Sequence, residues 1–432
     1  VGHHGQGREI HVLVGQIGHR AQPGGGHAYV GGEASVHVVA WEDLLAADGP
    51  ATRLTRGAGP AGDHRRDDDL LADLVLGALA GLALLMGACS SKPQLRQPTD
   101  EETRAELQAL IESEHVEDRR GRFREIYCAV LDAHGPDLPD YRTCEEALFF
   151  QAEDGIRARC PVSLGERRSD FLLLLVPGLG WNCFAEWLDL SGSVRDHIGQ
   201  YGWDIREVPI DGLSSTENNA RMIRDFVAEL PQEDAGRPLV LLGYSKGTPD
   251  VLTALVEYPE VTGRVEAVVS LAGAVRGSPL SENATQAQAN MLTLVPGSAC
   301  EKEDGDNDAV RSLLPDVRRE WLEQNPLPET VSYYSIVAFP EPERVSWALR
   351  NSWLLLGETD VRNDSQLVIF DQIIPGSTVM AVVNADHWAV AVPIQRSHRF
   401  VGATFVSRND YPREAFLEAI LRFLEEDLAG TD

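Results

Sequence analysis

Lysine is nearly absent from this chain of 432 residues: only Lys92, Lys246 and Lys302 occur, so almost all of its positive charge is arginine. Positive charge is also scarce overall, because 38 Lys and Arg stand against 67 Asp and Glu, which gives a formal net charge of −29. The electrostatic field of so negative a chain repels phosphate backbones, and nucleic acid is therefore not an expected partner. No C-x-x-C occurs among the six cysteines, so no structural zinc site is expected.

The first 69 residues lack lysine, methionine and any sustained apolar periodicity, and they contain seven of the twelve histidines. We interpret 1–69 as a dubious or disordered extension. The chain begins with valine and its first methionine is Met86. The simplest account is that the start of the protein was placed too far upstream, so that 1–69 are translated from upstream DNA. A histidine-rich metal-binding arm is the alternative, but the spacing of its histidines is irregular.

An apolar run from Leu70 to Ala88 leads directly to Cys89. The run is short for a membrane span, and it is similar to a bacterial lipoprotein signal, in which small residues precede the cysteine that becomes lipidated. Several aspartates near its start depart from that pattern, and a buried helix is the alternative. The resemblance implies a signal peptide over 70–88, a lipid anchor on Cys89, a tether over 89–100 and export to the cell envelope.

The rest of the chain divides into a helical part and an alternating part. Helical patterns at 105–113, 123–133 and 144–150 predict a helical lead-in over 101–170. From 171 to 432, short apolar runs alternate with amphipathic helices, which predicts a mostly parallel sheet wrapped by helices. The strand candidates are 171–176, 203–210, 238–243, 265–273, 331–339 and 377–383, and a closing helix is expected at about 413–428.

Two cysteines of the lead-in, Cys128 and Cys144, lie on neighbouring predicted helices. Disulfides persist in exported proteins, so we expect these two residues to be joined.

The segment Gly243-Tyr244-Ser245-Lys246-Gly247 is a G-x-S-x-G motif that follows a strand candidate and precedes a helical stretch at 251–257. A nucleophile elbow requires this order of strand, tight turn and helix. Gly243 and Gly247 allow the backbone to pass closely, while the Ser245 hydroxyl stays exposed above the sheet. An ordinary turn rich in glycine and serine is the alternative. Ser245 is the candidate nucleophile.

A serine hydroxyl needs a neighbouring base, and only His387 and His398 follow Ser245 in the chain. His387 comes just after the last strand candidate, whereas His398 lies among arginines in a surface-like stretch, so His387 is the predicted base. An oxyanion hole needs two backbone N–H donors. We expect them at Lys246, directly after the nucleophile, and at Leu179, in the loop after the first strong strand.

These motifs resemble the α/β-hydrolase superfamily in its lipase and esterase branch. The resemblance spans Phe171 to Val392 and rests on the loop at 177–180, the G-Y-S-K-G motif, GAVRGSPL at 273–280, the segment that begins Asn363-Asp364, and Asp386-His387-Trp388-Ala389. Two positions depart from it, since Pro177 replaces a common histidine and Lys246 an uncharged residue. The resemblance implies an α/β-hydrolase fold, with a cap or lid insertion over 281–329.

Three aspartates, Asp360, Asp364 and Asp371, precede His387 and compete for the acid that orients it. Asp364 is preferred, because its segment is similar to the N-D-G-x-V of lipases with Ser365 in place of glycine. Asp371 lies in an apolar stretch and Asp360 precedes the matching segment, so both remain as alternatives.

The sequence therefore predicts a serine hydrolase that cleaves carboxylic esters of small molecules or lipids through a Ser-His-Asp triad and an acyl-enzyme. No cofactor or metal is expected. Two alternatives stay open. The same triad could act on a thioester, amide or peptide bond, or the fold could be a catalytically inactive binding protein of the envelope.

Overall fold

The computed structural model describes residues 116–149, 161–181, 192–284, 305–397 and 410–429, together with a few single residues. All of them belong to one unit, His64–Asp432. The extension 1–69, the run 70–88 with Cys89, and the tether lie outside the described residues, so what the sequence predicts for them stays a prediction. Within the described part, no helix is both long enough and apolar enough to cross a membrane.

Seven parallel strands form one sheet in the order β1-β7-β6-β5-β4-β2-β3. The strands are β1 Glu117–Asp118, β2 Leu172–Val176, β3 Ile205–Glu207, β4 Leu239–Tyr244, β5 Val265–Leu271, β6 Ser332–Ala338 and β7 Thr378–Val383. All six predicted runs contain a strand, which confirms the α/β fold. The sequence does not predict β1.

Helices cover both faces of the sheet. The described α-helices are α1 Arg120–His134, α2 Cys144–Ala147, α3 Gly192–Gly199, α4 Thr216–Ala228, α5 Gly247–Glu257, α6 Pro259–Thr262, α7 Ala309–Ser312, α8 Pro315–Gln324, α9 Arg350–Leu356, α10 Ile394–Ser397 and α11 Arg413–Ala429. Short 3₁₀ turns lie at Gly135–Asp137, Pro279–Glu282, Pro342–Arg344, Trp347–Leu349 and Ile369–Gln372.

The central strands are buried on both faces, and this explains why β2 and β4 read as apolar runs. Successive side chains of a strand point to opposite faces. Leu172 and Leu174 of β2 accordingly join the cluster that contains Val251 of α5, whereas Leu173 between them joins the cluster that contains Phe416 of α11.

Aromatic packing fixes the lead-in to the domain, and a disulfide joins two helices within the lead-in. Phe123 of α1 packs edge-to-face on Phe416 of α11, with ring centroids 5.9 Å apart. The predicted disulfide is confirmed, since Cys128 and Cys144 are bonded with Cα atoms 5.2 Å apart. The helix predicted at 144–150 is shorter than expected and ends at Ala147, because Leu148 instead forms an antiparallel bridge with Val383.

The order of the strands indicates where a ligand-binding site lies in this sheet. Along the chain β2 is followed by β3 on one side and then by β4 on the other, so the direction of winding reverses between β2 and β4. In open parallel sheets the crevice outside the carboxyl ends of the strands at such a reversal is where ligands bind. The loop after β2 begins at Pro177, and the turn after β4 contains Ser245.

The predicted cap insertion, 281–329, is described only in part, because 285–304 lie outside the described residues. Its two described ends are close together: the Ser281 hydroxyl donates to the Leu313 carbonyl oxygen at 2.9 Å. The amide of Ala309 also donates to the carbonyl of Leu213, in the loop after β3, at 3.1 Å. The cap itself stays a prediction.

Candidate active site

Ser245 occupies a strained turn between β4 and α5. Its φ of +53° lies in the left-handed region that non-glycine residues rarely adopt. Neighbouring glycines permit the turn, since a Cβ on Gly247 would lie 2.1 Å from the Val176 carbonyl oxygen and one on Gly243 only 2.6 Å from the Cα of Thr248. Ser245 stays partly exposed while both glycines are buried. This is the geometry that a nucleophile elbow requires.

His387 lies in the loop after β7 and contacts Ser245. Its Nε2 is 2.9 Å from the Ser245 Oγ, and its Nδ1 is 2.7 Å from the Asp364 Oδ2. The His387 side chain is 5% exposed. A proton on Nδ1 directed at the carboxylate leaves Nε2 free to accept the serine proton.

Asp364 is fully buried and its position is fixed by the backbone. Its Oδ1 accepts the amides of Gln366 at 2.8 Å and Leu367 at 2.7 Å, while Oδ2 faces His387. The His387 amide donates to the Asp364 carbonyl oxygen at 2.9 Å, so the two loops are also joined through their main chains. The two amide hydrogen bonds therefore fix the orientation of the Asp364 carboxylate.

The two competing aspartates lie elsewhere. Asp360 is bound by Arg362, whose guanidinium donates to both of its oxygens at 2.8 and 2.7 Å. Asp371 is half-buried, and burial raises its pKa to about 6 although Arg276 and Arg319 lower it. Of the three, the structure brings only Asp364 to His387.

The expected oxyanion donors lie directly after Ser245, at Lys246, and in the loop after β2, at Leu179. In the loop after β2, the Gly180 amide donates to the Gly212 carbonyl oxygen at 3.0 Å. The amides of Leu179 and Lys246, by contrast, donate to no acceptor within the part of the chain that the structure describes. The loop also abuts the nucleophile, since a Cβ on Gly178 would lie 2.9 Å from the Ser245 Cβ.

The Lys246 side chain points away from solvent and forms a buried ion pair. Its Nζ donates to the Asp250 Oδ1 at 2.7 Å one turn along α5, and both side chains are fully buried. The Asn219 amide donates to the other oxygen of Asp250 at 2.8 Å. Burial raises the pKa of Asp250 to about 6, although Lys246 and Asn219 lower it. The unusual lysine therefore has a partner in the first turn of the helix that follows it.

Two supporting residues are not predicted from sequence. The Tyr244 hydroxyl donates to the His387 carbonyl oxygen at 2.8 Å. Asp386 is fully buried and accepts the amides of Ser346 and Ala389, each at 2.8 Å. Tyr244 and Asp386 lie directly before Ser245 and His387 in the two sequence motifs. Their hydrogen-bond partners could not be predicted, because His387 and Ser346 are distant in sequence and the Ala389 contact depends on the fold of the loop.

The protein is an α/β-hydrolase. Its parallel sheet is wrapped by helices, a serine lies in a left-handed turn after β4, and a histidine lies in the loop after β7. The chain belongs to the carboxyl esterases of that class. It is similar to the metagenomic carboxyl esterase MGS0156, with 37% identity over 75% of this chain and 99% of that one and a TM-score of 0.68.

More distant similarities are to the mature lipase BlEst2 of Bacillus licheniformis (20% identity, 58% of this chain and 96% of that one, TM-score 0.43) and to lipase 1 of Pelosinus fermentans (11%, 60% and 99%, TM-score 0.43). No family model and no curated protein matches the chain.

Proposed function

We propose that the protein is a serine carboxylesterase with Ser245 as nucleophile, His387 as general base and Asp364 as the acid that orients the base. One observation carries the proposal: hydrogen bonds join the three side chains one after another. Ser245 Oγ is 2.9 Å from His387 Nε2, and His387 Nδ1 is 2.7 Å from Asp364 Oδ2. The three residues come from three separate loops, and the Asp364 carboxylate is held by the amides of Gln366 and Leu367 in its own loop.

The reaction follows from this arrangement. Ser245 Oγ attacks the ester carbonyl carbon while His387 Nε2 takes its proton, and the resulting oxyanion accepts hydrogen bonds from the amides of Leu179 and Lys246. His387 then protonates the leaving alcohol, and water hydrolyses the acyl-enzyme with the same base. Asp364 stabilises the imidazolium at both stages.

A carboxylic ester is the favoured substrate class, because the relative with 37% identity is named a carboxyl esterase. The test is a series of p-nitrophenyl esters of increasing acyl length beside an anilide and a thioester of the same acyl group. Esters should be cleaved fastest. Faster cleavage of the anilide would favour an amidase, and faster cleavage of the thioester would favour a thioesterase. If none of the substrates is cleaved, the inactive binding protein is favoured.

A fluorophosphonate probe tests the nucleophile directly, because it forms a bond only with an activated serine. The wild-type protein should be labelled on Ser245, and both Ser245→Ala and His387→Ala should abolish labelling. Since the pair acts as one unit, the double variant should lose no more esterase activity than either single variant. Additive losses would show that the two residues are not partners.

We further propose that the protein is exported and anchored by lipid on Cys89, as the sequence predicts. The Cys128–Cys144 disulfide supports export, because disulfides persist in oxidising compartments and are rare in the cytosol. Labelled palmitate should be incorporated into the wild-type chain and not into Cys89→Ser. Equal membrane association of both chains would refute the anchor and leave the esterase proposal intact.

A further inference from the structure

Three helices bring two histidines and a glutamate together away from the serine site. His134 ends α1, His197 lies near the end of α3, and Glu418 lies in the first half of α11. One ligand atom from each residue lies within 4.8 Å of the other two. The residues are distant in sequence, so only the packing of α1 and α3 against α11 assembles the cluster.

Both imidazoles approach the same carboxylate oxygen. The Glu418 Oε2 is 2.9 Å from the His134 Nδ1 and 2.7 Å from the His197 Nε2. Glu418 is fully buried and His197 nearly so, whereas His134 is 22% exposed. Solvent can therefore reach the cluster along His134, and an ion has a path of entry.

The carboxylate is also oriented from behind. Arg422 Nε donates to the Glu418 Oε1 at 2.7 Å. The rest of that guanidinium donates to the carbonyl oxygens of Ser163, Leu164 and Gly165 at 2.9 to 3.0 Å. Because Arg422 is held by these partners, Oε2 is left facing the two histidines. Such a partner on the outer oxygen is typical of carboxylates that ligate a metal.

We propose that His134 Nδ1, His197 Nε2 and Glu418 Oε2 bind a zinc ion. Two imidazoles and one carboxylate form a ligand set that zinc uses in proteins, and two nitrogen donors disfavour calcium and magnesium. At metal–ligand distances of about 2.0–2.1 Å, tetrahedral ligands lie about 3.3 Å apart. Each imidazole nitrogen therefore needs to move about half an ångström away from Glu418 Oε2, and the two nitrogens, which lie within 4.8 Å of each other, need to move closer together. A water molecule supplies the fourth ligand.

The ion would have a structural effect, because it would join the lead-in helix α1 to α3 and α11. Ligand binding to the folded state alone raises the free energy of unfolding. The site uses none of the residues that the proposed esterase mechanism needs, so its absence would leave that proposal unaffected.

The test compares zinc binding by chelator-treated full-length wild type with that of Glu418→Gln and His197→Gln. Because the region 1–69 alone holds seven other histidines, the informative quantity is the difference between chains. Wild type should hold one zinc per chain more tightly than the variants do, by about 10-fold or more. Zinc should raise the Tm of the wild type and not that of the variants.

His387→Ala is the matched control, since it removes a buried histidine elsewhere and should keep the zinc while losing esterase activity. Cobalt(II) gives a second readout, as a tetrahedral site should show an intense visible absorption band in the wild type and in His387→Ala but not in the site variants. If a buried-site variant does not fold, His134→Ala at the solvent edge replaces it. Equal zinc binding by the wild type and the folded variants would overturn the proposal.

Discussion

Tyr244 donates its hydroxyl hydrogen to the carbonyl oxygen of His387 at 2.8 Å, so the residue before the nucleophile holds the residue proposed as base. Their rings also lie 5.3 Å apart. The turn after β4 and the loop after β7 are thereby fixed to each other independently of the Ser245–His387 hydrogen bond. We expect this contact to set the position of the imidazole before substrate arrives.

Tyr244→Phe should lower kcat by about 5- to 30-fold, because the His387 carbonyl would be left buried without a donor at a cost of about 1–2 kcal/mol. The measurement is kcat and Tm on the preferred ester. Tyr334→Phe is the matched control, since this buried tyrosine donates to Asp427 at 2.9 Å on another part of the domain. Equal effects of the two changes on kcat would contradict the positioning role.

Asp364→Asn should lower kcat by about 10⁴-fold, as loss of the orienting carboxylate does in serine proteases. An amide in this place can donate to Nδ1 and thereby favour the wrong imidazole tautomer. Asp360→Asn and Asp371→Asn are the controls, and both should keep near-normal kcat. If either control is inactive while Asp364→Asn turns over normally, the acid is wrongly assigned.

Lys246 and Asp250 should prove strongly coupled in stability. Lys246→Met alone leaves a buried carboxylate without its cation and should cost about 3–5 kcal/mol, and Asp250→Leu alone should cost a similar amount. The double variant removes both charges and should recover most of that loss. Urea unfolding of the four chains measures the coupling, and independent, additive costs would mean that the ion pair is not formed.

Asp371 should make the protein less stable as the pH rises. Because burial raises its pKa to about 6, the folded state holds this proton more tightly than the unfolded state. The free energy of unfolding therefore falls between about pH 4 and pH 6, and the loss persists above that. Asp371→Asn should be more stable than wild type at pH 8, by up to about 3 kcal/mol, and equal to it near pH 4.

Thermal or urea unfolding at the two pH values measures this difference. Asp316→Asn supplies the control, since the Asp316 side chain is 93% exposed. An equal stability gain at both pH values would show that the carboxyl group of Asp371 is not responsible.

Five of the seven strands could be predicted because they are largely buried and mostly apolar, and β3, which is only partly buried, could be predicted because apolar residues recur across 203–210. β1 could not, since Glu117 and Asp118 are charged and join the sheet only through backbone bonds to β7. Backbone pairing of so short a segment leaves no pattern in its side chains.

The residues of the candidate site also divide into those that could be predicted from sequence and those that could not. Ser245 and His387 are predictable, because the motif and chain order restrict the choice, and Asp364 followed from a resemblance in which Ser365 replaces glycine. The structure gives Ser365 a φ of +87°, which explains why glycine suits that position. The contact of Tyr244 with His387 joins residues 143 positions apart, and no local pattern encodes it.

The two residues of β1 also bear on how this chain can be shortened. They cover the outer side of β7, the strand that leads to His387. A chain cut just before Phe171 would keep the other six strands but leave β7 with a row of unpaired amides and carbonyls, an edge that recruits strands from other molecules. Shortened versions intended to remain monomeric at high concentration should therefore begin before Glu117.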